Sequence, residues 1–138
     1  MNHFNLQWVI EGVLARSCRP CYHEDVPTRV ALNKWLNEAA IMKIRGILCL
    51  LSQKELQEFY GAHGIDLLAW YRNRGFVACH MPVADYLQPP LTNSDLATIR
   101  AAFKELPKPC LVHCSAGIDR TGAAVELILK ELKQSGSF

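Results

Sequence analysis

The chain has 138 residues, half of them hydrophobic, and a formal net charge of +2. That length and apolar content suit one compact domain, taken as residues 1–138, with a sizeable core. The mixed charges carry no nucleic-acid or membrane-surface signature, and no apolar run is long enough to span a bilayer.

Met1 to Ile10 has neither a basic leader nor a continuous apolar stretch, so no signal peptide is expected. Trp8 to Ile10 and Val13 to Ala15 read as two short strands around Gly12, a hairpin. Thr28 to Ile44 places Leu32, Trp35, Leu36, Ala39 and Ala40 at helical spacing. Gly46 to Leu51 is a continuous apolar run, short enough for a buried strand. Ser52 to Glu55 reads as a capping box opening a helix that ends near Gly61 or Gly64. Ile65 to Asn73 is a second short helix, and Phe76 to Val83 a strand. Thr92 to Asp95 starts another helix, with Leu96, Ile99, Phe103 and Leu106 on one face. Pro109 to His113 is the last strand and about Thr121 to Lys133 the last helix. Strands alternating with helices predict an α/β fold: a mainly parallel central sheet of about five strands flanked by helices, with its site at the carboxyl ends of the strands.

The last strand ends at His113-Cys114-Ser115-Ala116-Gly117-Ile118-Asp119-Arg120-Thr121-Gly122. Strand, tight loop and helix N-terminus aim several backbone N–H groups at one spot and add the positive end of a helix dipole. A thiol held there loses its proton easily, since such surroundings lower cysteine pKa values to roughly 3.5–7.5. The same spot binds a dianion, with the planar Arg120 guanidinium gripping two oxygens. A thiolate beneath a bound phosphate can form a bond to phosphorus.

His-Cys-x5-Arg-Thr-Gly resembles the signature of the cysteine-dependent protein tyrosine phosphatases, especially the small dual-specificity-like branch. Six positions match: His113, Cys114, Gly117, Arg120, Thr121 and Gly122. The resemblance implies a dual-specificity-phosphatase-like fold and hydrolysis of phosphomonoesters through a phosphocysteine, without cofactor or metal. It makes Cys114 the nucleophile and Arg120 the phosphate clamp. Asp85, in the loop between His80-Met81-Pro82-Val83 and Pro89-Pro90, becomes the general acid that protonates the leaving oxygen and later activates water. Backbone N–H groups of Ser115, Ala116, Gly117, Ile118, Asp119 and Arg120 would hold the phosphoryl oxygens, and Gly117 allows close approach or a positive φ. Thr121 would donate to the cysteine sulfur, and His113 would order the loop. The implied partner is a phosphorylated protein or a small phosphorylated substrate, and a cytoplasmic setting follows from six cysteines without an export signal.

Asp119 departs from the commonest pattern, which has a small residue before the arginine. Gly-x-Asp-Arg-Thr is similar to phosphoinositide phosphatases of the myotubularin type, and Asp119 is a rival general acid. Gly12 to Ser17, with its Arg16-Ser17 pair, resembles a segment near the start of small atypical dual-specificity phosphatases; it implies that Arg16 or Ser17 supports the catalytic loop or the substrate. The favoured substrate is phosphotyrosine in protein. The alternatives are a phosphoinositide or inositol phosphate, and a catalytically silent phosphate-binding adaptor. Cys49 reads as core, with a disulfide to Cys114 as in some relatives as its other role. Cys18 and Cys21 read as partly exposed thiols rather than zinc ligands. Only 18 residues follow Arg120, so the back of the sheet is expected to need a partner or to be partly exposed.

Overall fold

The computed structural model describes residues 6–136; Met1 to Asn5, part of the stretch read above as lacking a leader, lie outside them, as do the last two residues of the domain range. Five strands form one sheet in the order β1-β2-β5-β3-β4. β1 (Gln7–Ile10) and β2 (Leu14–Ser17) make the expected antiparallel hairpin. β2, β5 (Cys110–His113), β3 (Gly46–Cys49) and β4 (Val77–His80) then run parallel.

Side chains alternate across the sheet, as a pleated strand requires. Ala15, Ile47, Cys49 and Leu111 point to one face, where Leu32, Trp35, Leu36 and Ala39 of α1 (Arg29–Ile41) and Leu67 and Tyr71 of α3 (Leu67–Asn73) cover them. Leu14, Leu48, Cys110 and Val112 point to the other, under Ile99 and Phe103 of α4 (Asn93–Glu105) and Ala124, Val125 and Ile128 of α5 (Asp119–Gln134). β3 and β5 are buried along their whole length. The sheet is therefore covered on both faces, and the exposed back expected above is not seen among the described residues.

Local chemistry sets the element ends. Ser52 and Glu55 form the expected capping box at α2 (Gln53–Phe59), and Thr92 and Asp95 form another at α4. α1 stops at Ile41 rather than Ile44 because Met42 caps it and Lys43 turns into the left-handed region at φ 65. β4 is shorter than Phe76 to Val83, yet Met81 N–H donates to Cys49 O and Val83 N–H to Leu50 O, at 3.0 and 3.2 Å. Those two bonds carry the chain on beside the end of β3 and lead it to Asp85, which lies near Arg120 of α5. No helix of the described residues is long and apolar enough to cross a membrane.

Candidate active site

Cys114 follows β5 directly and is 3% exposed, at the base of the loop 115–118. α5 begins at Asp119, two residues before the expected start at about Thr121, so Asp119 and Arg120 stand in the first helical turn rather than in the loop. An acid at that position faces the positive end of the helix dipole, which favours the early start. Asp119 is exposed and makes no hydrogen bond or ion pair with the described residues, so its side chain holds no part of the loop. The N–H groups of Ala116, Gly117 and Ile118 donate to no protein group among the described residues, as an oxyanion cradle requires.

Gly117 meets both conditions read from the sequence. Its φ is 77, and a Cβ there would lie 2.5 Å from Ser17 O and 2.7 Å from Cys18 N. The loop is thus pressed against the end of β2 where only glycine fits. Arg16 grips it from the same side, Nη2 donating to Gly117 O at 2.9 Å and Ile118 O at 3.5 Å. Arg19 N–H donates to Ser115 O at 2.8 Å. Ser17 Oγ accepts from Trp35 Nε1 at 3.2 Å and donates to Cys18 O at 2.7 Å, inside the α1 face, while its backbone carbonyl lies against Gly117.

Arg120 is 1% exposed, and its guanidinium ties four segments together. Nη1 donates to Glu55 Oε1 at 2.6 Å, to Val83 O at 2.7 Å and to Leu50 O at 3.3 Å. Nη2 donates to Glu55 Oε2 at 2.9 Å and lies 3.4 Å from Asp85 Oδ2. Nε is buried with no partner, a donor left for an anion in the loop. Burial alone would raise the Glu55 carboxyl pKa, but the Arg120 fork and the Ser52 cap outweigh it and leave it lowered. Burial likewise opposes the Arg120 charge, and Glu55 reverses that, so its pKa is raised. Glu55 escaped the sequence reading, which used it only as a helix cap; the available signal was a carboxylate just past a strand's carboxyl end, opposite an arginine that must be buried.

Asp85, in the loop that follows Val83, has its Oδ2 3.4 Å from Arg120 Nη2 and its Oδ1 accepting from Tyr86 N–H at 2.9 Å. Thr121 Oγ1 is buried without a hydrogen-bond partner, so the expected bond to the cysteine sulfur is not made. The helix start two residues early sets Thr121 inside the first turn of α5, which accounts for the difference.

His113 orders the loop from below. Its Nδ1 lies 3.0 Å from Cys114 O, which can only accept, so Nδ1 carries the proton and Nε2 accepts from the Tyr71 hydroxyl at 2.8 Å. Burial pushes its pKa down to about 4, and the imidazole is neutral. Trp35 packs edge-on against it.

The remaining cysteines are core except Cys79, which is half-buried against the α5 face. Cys49 is fully buried on the α1 face, with burial pushing its pKa up to about 12, whereas Cys114 packs with the α5 cluster. Cys18 and Cys21 are not partly exposed but buried, at 1% and 4%, because Cys18 packs under Gly117 and Cys21 faces Thr28 O.

Residues 76–135 match the model of a tyrosine phosphatase family. No match to the chain was found among curated proteins. Among solved structures it is similar to Tk-PTP in its active form, at 24% identity, covering 87% of this chain and 68% of that one with a TM-score of 0.53. It is also similar to the core catalytic domain of the PP-IP phosphatase SIW14 from S. cerevisiae, at 21% identity, 91% and 65% coverage and a TM-score of 0.60. The kinase associated phosphatase with its catalytic cysteine replaced by serine gives 20% identity, 83% and 65% coverage and a TM-score of 0.57. At these identities the structures speak for the fold, and the family match speaks for the segment from β4 to α5. Together they bear out the resemblance read from the catalytic loop and the dual-specificity-phosphatase-like architecture.

Proposed function

We propose that this chain, a cysteine phosphatase by the match of its catalytic segment and by its fold, hydrolyses phosphotyrosine in protein through a phosphocysteine intermediate. One observation carries the reading: Cys114 lies beneath a loop of unpartnered N–H groups beside an arginine whose Nε is free and whose Nη2 is 3.4 Å from an aspartate. The Cys114 thiolate attacks phosphorus while the loop N–H groups and Arg120 Nε hold the equatorial oxygens. The bond to the leaving oxygen breaks as Asp85, released from Arg120 by the incoming phosphate and carrying a proton taken from solvent, protonates that oxygen. Asp85 then takes a proton from water, which attacks phosphorus and frees the cysteine sulfur. Arg16 and His113 hold the loop from its two sides. The near-complete burial of Cys114 supports an aryl phosphate, whose phosphorus reaches deeper than that of a phosphoserine.

A phosphoinositide or inositol phosphate substrate is the second reading. It is favoured by the Gly-x-Asp-Arg-Thr pattern around Asp119, which is similar to that of phosphoinositide phosphatases, and by the likeness in fold to SIW14, a PP-IP phosphatase. The silent-adaptor reading is disfavoured because both Cys114 and Arg120 are present.

The test is phosphate release, with chelator present, from a phosphotyrosyl peptide and from a phosphoinositide, comparing wild type with Cys114→Ser. Peptide turnover lost in the variant supports the reading, preference for the lipid moves the function to the second, and no release from either overturns catalysis. Asp85→Asn and Asp119→Asn then separate the acids. The substitution that removes the basic limb of the kcat profile while phosphate binding persists marks the donor, expected to be Asp85.

A further inference from the structure

On the outer flank of the phosphate loop lies a cleft of about 240 Å³. Its walls include Gln7 of β1, Arg16 of β2, Tyr22, and Ala116, Gly117 and Ile118 of the loop itself. Tyr22 and Ile118 are 39% and 65% exposed, so both offer apolar surface to an incoming molecule. Arg16 supplies the charge. Its Nη2 is held by the carbonyls of Gly117 and Ile118, its other nitrogens donate to no group among the described residues, and no described carboxylate pairs with it.

The loop therefore has two sides of opposite use. Its N–H groups face inward, toward the phosphate position, and its carbonyls face outward, where they fix the plane of a guanidinium. A cation whose geometry is already set loses little freedom on gripping an anion. Ala116, Gly117 and the exposed Ile118 belong both to the loop and to the wall of the cleft, so the cleft adjoins the loop on its outer side.

The room, the single cation and the apolar walls suit one carboxylate on an aliphatic stem. A ring carrying several phosphates fits poorly, since it would bring further negative charge between Arg16 and the exposed Asp119 next to Ile118. We propose that the cleft is a substrate subsite for an acidic side chain flanking the phosphotyrosine of a protein substrate, with Arg16 as the residue that recognises it. This rests on the protein-phosphatase reading above.

The experiment measures kcat/KM for two phosphotyrosyl peptides that differ only in having Glu or Gln on both sides of the phosphotyrosine. p-Nitrophenyl phosphate and an inositol polyphosphate serve as references. A partly exposed charge-assisted contact predicts about three- to ten-fold preference for the Glu peptide, shrinking as salt is raised. Arg16→Gln also loosens the phosphate loop and lowers every rate, so the ratio between the peptides is the readout. That ratio falls to about one in Arg16→Gln, is partly kept in Arg16→Lys, and drops below one in Gln7→Glu, which sets a carboxylate in the cleft without touching the loop. Equal turnover of both peptides by wild type, or a ratio unmoved by Gln7→Glu, overturns the subsite while leaving the phosphatase reading intact. Cleavage of p-nitrophenyl phosphate or the inositol polyphosphate with neither peptide cleaved overturns the protein-substrate reading itself, and the subsite with it.

Discussion

The two faces of the sheet are built from different materials. Under α4 and α5 the core is aliphatic: Leu48, Leu50, Ile99, Val112, Val125 and Ile128 meet through area alone. Under α1 and α3 the core is aromatic and polar, with Trp35, Tyr60, Tyr71 and His113 buried and hydrogen-bonded. Tyr60 donates to Pro20 O, Trp35 to Ser17 and Cys18, and Tyr71 to His113, so each bond ends on a segment next to the phosphate loop. Dispersion tolerates small displacements, whereas a buried hydrogen bond fixes a distance. The aliphatic face holds α5 to the sheet; the aromatic face sets where the loop backbone lies.

Substitutions that treat the faces unequally would sharpen this contrast. The largest effect is expected at Glu55→Gln, which leaves the buried Arg120 charge without its fork. A loss of about 3–5 kcal/mol in a denaturant titration is expected, together with a fall in kcat, since only two carbonyls and Asp85 are then left to orient the guanidinium. Unchanged stability would mean that the carbonyls of Leu50 and Val83 suffice.

The aromatic face also makes stability depend on pH. His113 has a folded pKa of about 4 against an ordinary value near 6.5. The unfolded chain therefore binds the extra proton first, and the contribution present above pH 6.5 is lost as pH falls toward 4, on the order of 3 kcal/mol. Thermal melts of His113→Phe should be flatter across that window than those of wild type. A wild-type curve already flat there would show that the imidazole is not held neutral.

Tyr71→Phe comes next. It leaves His113 Nε2 buried and unsatisfied, at about 1–3 kcal/mol, and it should lower kcat because His113 holds the Cys114 carbonyl. Ile128→Val, the matching truncation on the aliphatic face, should cost about 0.5–1.5 kcal/mol and leave kcat alone. Equal effects of these two on kcat would dissolve the distinction between the faces.

Much of this could be read from the chain where the signal is local. The Ser52 and Thr92 caps, the strand into Cys114 and the place of Asp85 each follow from a handful of adjacent residues. Features that join distant segments could not. Glu55 and Arg120 are 65 residues apart, and nothing in Ser52 to Glu55 reveals that one carboxylate serves both the cap and the clamp. Cys18 and Cys21 look like surface thiols in a polar stretch, and their burial follows from distant partners: the loop at Gly117 lies against the Cys18 backbone, and Cys21 joins the core under α1. The end of α1 is hidden because Lys43 occupies a left-handed turn where glycine is the usual sign.

The unpartnered donors of the phosphate loop and Arg120 Nε have a thermodynamic consequence. Gathered in one place without protein acceptors, they make the loop a weak point of the fold, kept for the sake of its ligand. An oxyanion that fills it acts as a missing piece of core. Vanadate or phosphate at about 100 times its dissociation constant should add about 2.7 kcal/mol to the folded state. The melting temperature becomes a binding readout that needs no turnover, even in Cys114→Ser.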